Sequence, residues 1–150
     1  MVELRWSLRL PSPLTLGPFV LDVPINRASI AGGRLAARLG PDEWLLVAPA
    51  GDSPDFSALE GRHHSLVDVS HRYAAFAVEG DRAPLILAAG CPLDVHPDFF
   101  IAGSATRTLL GKAEIILWRL GEALSYRVEC ARSFAPYVER FLDQARSSYP

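Results

Sequence analysis

The sequence predicts an α+β fold of antiparallel β-sheets with flanking helices. Three observations carry this. First, strand-length blocks fall over 73–79, 105–110, 113–120 and 124–130, and the first and last of them read as alternating, the period of a half-buried strand. Second, glycine-bearing turns (Gly111-Lys112, Gly121-Glu122) join neighbouring blocks, and connections this short fit only antiparallel pairs. Third, only two strong helix patterns occur, near 81–90 and 133–145, each after strands. Strand and helix do not alternate as a parallel α/β sheet requires.

Taken in order, residues 1–27 hold Pro11, Pro13, Pro18 and Pro24. Proline fixes φ and removes a donor, so regular structure is interrupted. The same segment also holds the apolar residues Trp6, Leu8, Leu10, Leu14, Leu16 and Phe19. The segment is therefore expected to be an extended, Pro-rich arm lying on this domain or on a partner. Residues 28–146 then form the globular core of a single domain spanning 1–150. Leu35–Leu39 and Glu43–Val47 flank Gly40-Pro41-Asp42 and read as a hairpin. Gly32-Gly33 reads as an isolated turn, 49–55 as a loop and 56–60 as a short helix. Ser65–Val69 and Tyr73–Glu79 are predicted strands.

Asp81 is placed to cap the next helix, with Pro84 in its first turn. Leu85 to Ala89 are all apolar, which predicts burial, and Gly90 is expected as a left-handed stop. After a loop at 91–97 come the last three strands. The third places Leu124, Tyr126, Val128 and Cys130 on one face, with Ser125, Arg127 and Glu129 on the other. One face is expected to be packed and the other wet or against a partner. Ser133 caps the final helix, whose residues Phe134, Tyr137, Val138, Phe141, Leu142 and Ala145 form a stripe at helical spacing. The tail from Arg146 is expected to fray. Proline near each helix start, at 84 and 136, suggests two related, pseudo-repeated halves.

Composition bounds the function. With 15 basic and 17 acidic residues the formal charge is −2, which argues against nucleic acid, whose phosphates need a basic face. It disfavours an anionic membrane surface for the same reason. No apolar stretch reaches membrane-spanning length, and the N-terminus does not read as a signal peptide. Cys91 and Cys130 are too few for a disulfide scaffold, so free thiols and a cytoplasmic location are expected.

No residue set offers convincing chemistry, and no catalytic, cofactor-binding or metal-binding residue is assigned. His63 and His64 point to opposite sides if extended, and His71 and His96 lack a ligand partner at metal spacing. Asp68, Ser70 and His71 contain the residue types of a hydrolytic triad without its context, so a structural hydrogen-bond cluster is expected. Lys112 follows Gly111, but the phosphate-loop spacing is absent. Cys91 lies past a helix C-terminus, the wrong end for a reactive thiolate. Arg107, Lys112, Arg119, Arg127 and Arg132 gather on the last strands and could share an anion-facing surface, although a solvated face is the simpler reading. Arg72, Lys112 and Trp6 are the candidate interface residues.

Several phrases together carry a family resemblance: Leu39-Gly40-Pro41-Asp42-Glu43-Trp44-Leu45-Leu46, Asp68-Val69-Ser70-His71-Arg72, Gly90-Cys91-Pro92-Leu93-Asp94, Thr108-Leu109-Leu110-Gly111-Lys112 and Arg132-Ser133-Phe134-Ala135. In this order, over about 35–145, the chain resembles the gamma subunits of heterotetrameric sarcosine oxidases. That family is similar in turn to the folate-binding fold of the glycine-cleavage aminomethyltransferases. The resemblance implies a non-catalytic subunit that stabilises a flavin-dependent complex by packing on its flavin-bearing subunit. It implies alpha, beta and delta partners, with FAD, FMN, NAD and tetrahydrofolate held on those partners and none here. The alternative is a small folate- or anion-binding module related to the aminomethyltransferases.

Overall fold

The structure, a computed structural model, describes residues 3–149. They fall into two compact units that divide between His71 and Arg72.

The first unit contains β1 (Leu4–Arg9), β2 (Thr15–Leu16), β3 (Phe19–Val20), β4 (Arg27–Ala31), β5 (Arg34–Gly40), β6 (Glu43–Ala48) and β7 (Ser65–Asp68). A single 3-10 turn at Ser57–Leu59 stands where the short helix is expected. Its main strands run β7-β1-β6-β5-β4, all antiparallel. The predicted hairpin is β5–β6, with an irregularity between Arg38 and Gly40.

Residues 4–9 are an inner strand rather than part of an arm. β1 pairs with β6 on one side, Leu8 opposite Trp44, and with β7 on the other, Leu8 opposite Leu66. The prolines begin only at Pro11, so nothing interrupts this ladder. The proline-rich stretch is itself tied down. Leu10, Leu16, Phe19 and Leu21 are buried against Trp44 and Leu46. The Trp44 indole N–H donates to Leu21 O at 2.9 Å, and Arg38 donates to Val23 O at 3.0 Å. β4 is an additional strand. Gly32 and Gly33 have φ of 58° and 78°, so they form the two-residue turn joining β4 to β5, which needs positive φ at both positions.

The second unit contains β8 (Tyr73–Glu79), α1 (Ala83–Ala88), β9 (Ser104–Leu110), β10 (Ala113–Arg119), β11 (Ser125–Ala131) and α2 (Ala135–Ser147). Its strands run β9-β10-β11-β8, each antiparallel to its neighbour. The inward residues Val78, Leu110, Leu117, Tyr126 and Val128 share one core with Leu87 of α1 and Val138 of α2. The fold is thus α+β, with antiparallel sheet and few helices, as the sequence predicts. Both proline-bearing helix starts lie in this unit.

Both predicted caps need correction. The N-cap of α1 is Arg82 and that of α2 is Phe134, both in helical backbone and neither with a side-chain cap. A 3-10 turn, Arg132–Phe134, leads into α2, so the chain is already coiled when it reaches the helix and Ser133 is left outside the cap position. The prolines sit where expected, in the first turn. Gly90 is not a left-handed stop, because it is absent from the positive-φ residues. Glycine is required there by close approach instead: an added Cβ would lie 2.9 Å from the Gly111 amide nitrogen and collide with Cζ of Phe141. The tail is not frayed at Arg146 either. α2 continues to Ser147, and Tyr149 packs on the core.

Candidate functional site

The Asp68-Val69-Ser70-His71 phrase closes the first unit. β7 runs out at Asp68, and the chain turns beside β1. Asp68 Oδ1 accepts the Ser70 N–H at 2.9 Å, an Asx-type turn. Ser70 is buried, and its Oγ accepts the Arg5 N–H at 2.9 Å. Val69 N–H donates to Arg5 O at 2.8 Å. The serine thus carries the β1 pairing beyond the end of β7. Hydrogen bonds from the Ser70 side chain and then its amide hold the Asp68 carboxyl below the usual carboxylate range. His71 is exposed. These contacts make the phrase a strand-end hydrogen-bond cluster. Ser70→Ala removes the buried acceptor of the Arg5 amide and is expected to cost about 1–2 kcal/mol, read as a lower urea midpoint. An unchanged midpoint would mean the cluster contributes no stability.

The arginines of the last strands do not act as one surface. Arg119 is buried, and its guanidinium donates to three carbonyls: Pro97 O at 3.1 Å, Phe100 O at 3.1 Å and Glu122 O at 2.8 Å. Arg127 donates to Glu129 Oε1 at 2.8 Å, and Glu129 is fully buried. The face of β11 expected to be wet is therefore partly buried, and the ion pair is what makes a buried carboxylate tolerable there. Arg72 and Arg107 line a common pocket of about 210 Å³ with Tyr73, Glu114, Glu129 and Phe134. That volume lies below the range of about 300–1,000 Å³ usual for small-molecule sites, and two carboxylates stand beside the two guanidiniums.

The candidate interface residues lie in different places. Arg72 and Lys112 are exposed near the same end of the second unit's sheet, since Tyr73 pairs with Ala131 and Ala113 with Leu110. Lys112 sits in the β9–β10 turn, where its amide donates to the Tyr137 hydroxyl at 3.0 Å. Trp6 belongs to the first unit, half-buried, with its ring 5.1 Å edge-on from Phe56. Among the described residues no group of three or more His, Cys, Asp or Glu could hold a metal ion. No helix is long and apolar enough to cross a membrane among them either. Both cysteines are free and buried, and burial pushes the Cys130 thiol pKa up.

Sequence reasoning passed over one feature, the loop between α1 and β9. Tyr126 OH donates to Val95 O at 2.7 Å, and Phe100 stacks on the Tyr126 ring at 6.1 Å. The amides of Phe99 and Phe100 both donate to His96 O, at 2.9 and 2.8 Å. Phe100 is buried while Phe99 is 72% exposed. The available signal was the adjacent Phe-Phe pair, which a tight turn cannot bury on one side together.

The fold is of the aminomethyltransferase type. The chain is similar to glycine cleavage system aminomethyltransferase T from Bartonella henselae, with a TM-score of 0.63 over 93% of this chain and 43% of that one, at 16% identity. The more specific likeness comes from sequence: residues 15–148 match the profile described as "Sarcosine oxidase, gamma subunit family", and the chain belongs to that family. Among its relatives are sarcosine oxidase subunit gamma of an Arthrobacter species, 36% identical over 66% of this chain and 50% of the relative. The counterpart from Corynebacterium sp. strain U-96 is 33% identical over 86% of this chain and 65% of the relative. The chain thus spans about half to two-thirds of the length of these relatives. A chain of heterotetrameric sarcosine oxidase from Corynebacterium sp. U-96, solved in complex with pyrrole 2-carboxylate, matches with a TM-score of 0.85. That match is 28% identical and covers 99% of this chain and 81% of the other.

Proposed function

We propose that this chain works as the gamma subunit of a cytoplasmic, flavin-dependent heterotetrameric sarcosine oxidase, beside alpha, beta and delta subunits. The complex would oxidatively demethylate sarcosine to glycine, pass the one-carbon unit to tetrahydrofolate and release hydrogen peroxide. In this reading FAD, FMN, NAD and tetrahydrofolate are held by the partners. The chain supplies no catalytic residue and stabilises the assembly by packing on the flavin-bearing subunit. The observation that carries the reading is the likeness, over 99% of the chain, to a chain of a heterotetrameric sarcosine oxidase. The polar groups support it as well. Ser70, Arg119 and the Arg127–Glu129 pair are engaged in holding strands and loops.

The test is co-expression of the tagged chain with the three other subunits. A stoichiometric complex carrying flavin absorbance is the expected result. A lone chain, with soluble partners left behind, would overturn the reading. Saturable micromolar binding of tetrahydrofolate to that lone chain, measured by calorimetry, would favour a ligand-binding module instead.

A further inference from the structure

We infer that the loop between α1 and β9 presents Phe99 as a preformed anchor. It inserts into an apolar pocket, bordered by lysine or arginine, on another subunit of the assembly. This deepens the subunit reading and rests on it.

The argument starts from an imbalance in the loop. Phe99 is the most exposed large apolar residue among those described, at 72%, and Ile101 beside it is 46% exposed. A mobile loop could show such residues without meaning, since single exposed apolar side chains are ordinary. This loop is not loosely held. Arg119, only 4% exposed, grips it from beneath through the carbonyls of Pro97 and Phe100, and reaches the neighbouring turn through Glu122 O. Tyr126 fixes Val95 O from the sheet, and Phe100 is stacked inward. Asp94 Oδ1 accepts the His96 amide at 3.1 Å, and His96 Nδ1 accepts the Asp98 amide at 3.1 Å. Gly103 N–H donates to Arg119 O at 2.7 Å, which closes the loop onto β10.

Such a network immobilises the backbone on both sides of an aromatic side chain that stays largely exposed while meeting the His96 ring edge-on at 6.3 Å. Ordering a binding segment is a large part of the cost of association, and a loop already fixed in the bound shape avoids it. Aromatic residues are enriched in protein interfaces, where a few buried anchors carry most of the affinity. The charge around the anchor states what the pocket must look like. Between Cys91 and Gly103 there is no lysine or arginine, while Asp94 and Asp98 are exposed, and Glu122 is exposed on the turn held by the same guanidinium. An acidic border around an apolar anchor is complemented by a basic border around an apolar pocket.

The experiment uses the co-expressed complex and follows loss of partner subunits on dilution. Phe99→Ala is expected to weaken retention at least tenfold, and Phe99→Leu to retain most of it. Leu85→Ala removes a 49% exposed residue on α1 and should behave as wild type. Protection of the Phe100 amide from hydrogen exchange should survive in Phe99→Ala, which separates lost contact from lost structure. Asp98→Lys is expected to slow reassembly several-fold at low salt, with the difference closing at high salt. Retention by Phe99→Ala equal to wild type overturns the anchor and leaves the subunit reading standing. Equal weakening by Leu85→Ala, or a homodimer of this chain that Phe99→Ala dissolves, overturns it too. Faster or salt-independent reassembly of Asp98→Lys overturns the basic border. Failure of the wild-type chain to hold any flavin-bearing partner overturns the subunit reading itself.

Discussion

Gly90→Ala is expected to destabilise the second unit by about 2–3 kcal/mol, the cost of forcing extra volume into a packed site. The backbone would accept alanine, since φ at Gly90 is not positive. The obstacle is space. The new methyl would collide with Cζ of Phe141 and sit 2.9 Å from its Cε1 and 2.9 Å from the Gly111 nitrogen. The ring cannot easily retreat, because it packs on the core of the unit and lies 6.4 Å from the Tyr137 ring. The amide cannot move without loss either, since Gly111 N–H donates to Gly90 O at 2.9 Å. Relief must come from lifting α2 away from the end of α1. The measurement is a urea titration of Gly90→Ala, alone and combined with Phe141→Leu. Phe141→Leu should recover part of the loss, giving a coupling energy between the two sites. A Gly90→Ala midpoint equal to wild type would show that the close approach is not there.

Arg119→Met carries the other large expected effect. Three carbonyls lose this donor at once, Phe100 O in a buried bond and Pro97 O and Glu122 O in partly buried ones, and a buried polar group left without a partner costs about 1–3 kcal/mol. Removing a buried cation returns some of this, so the net loss is expected at about 2–3 kcal/mol. Arg119→Lys should rescue little, because one ammonium cannot reproduce the planar fork that reaches Pro97, Phe100 and Glu122. Limited proteolysis adds a local readout: cleavage between His96 and Ala102 should accelerate in Arg119→Met far more than cleavage elsewhere. Uniform acceleration would mean that Arg119 supports the unit as a whole and has no special hold on the loop.

What could be read from the sequence follows from how local the determining physics is. β8 and β11 were legible from alternation, and β9 and β10 from the turn glycine between them, because each signal is contained in a few residues. β1 was hidden by the prolines that follow it, although its own residues are strand-like. The turn at Gly32-Gly33 was seen and β4 was not, because Arg-Ala-Ser-Ile-Ala carries no clear alternation. The Asp68–Ser70 cluster was legible in kind, since Asp and Ser beside a strand end bond locally. Arg119 and Glu129 were not. Alternation places a residue on a face, but a buried charge is decided by partners distant in sequence, such as Pro97 for Arg119. Gly90 was noticed for the wrong property. Its neighbour in space, Phe141, lies in another helix altogether.

The two cysteines have a kinetic meaning. Cys130 is 1% exposed near the C-terminal end of β11, with its thiol pKa raised by burial, and Cys91 is 8% exposed with Thr108 Oγ1 3.7 Å from its sulfur. An alkylating reagent needs both access and a thiolate. At Cys130 the folded state withholds both, so reaction must wait for the strand to come free. Both thiols lie in the second unit, one beyond α1 and one in the sheet. The chain therefore carries a built-in clock for the opening of that unit, silent about the first, and free of any introduced label.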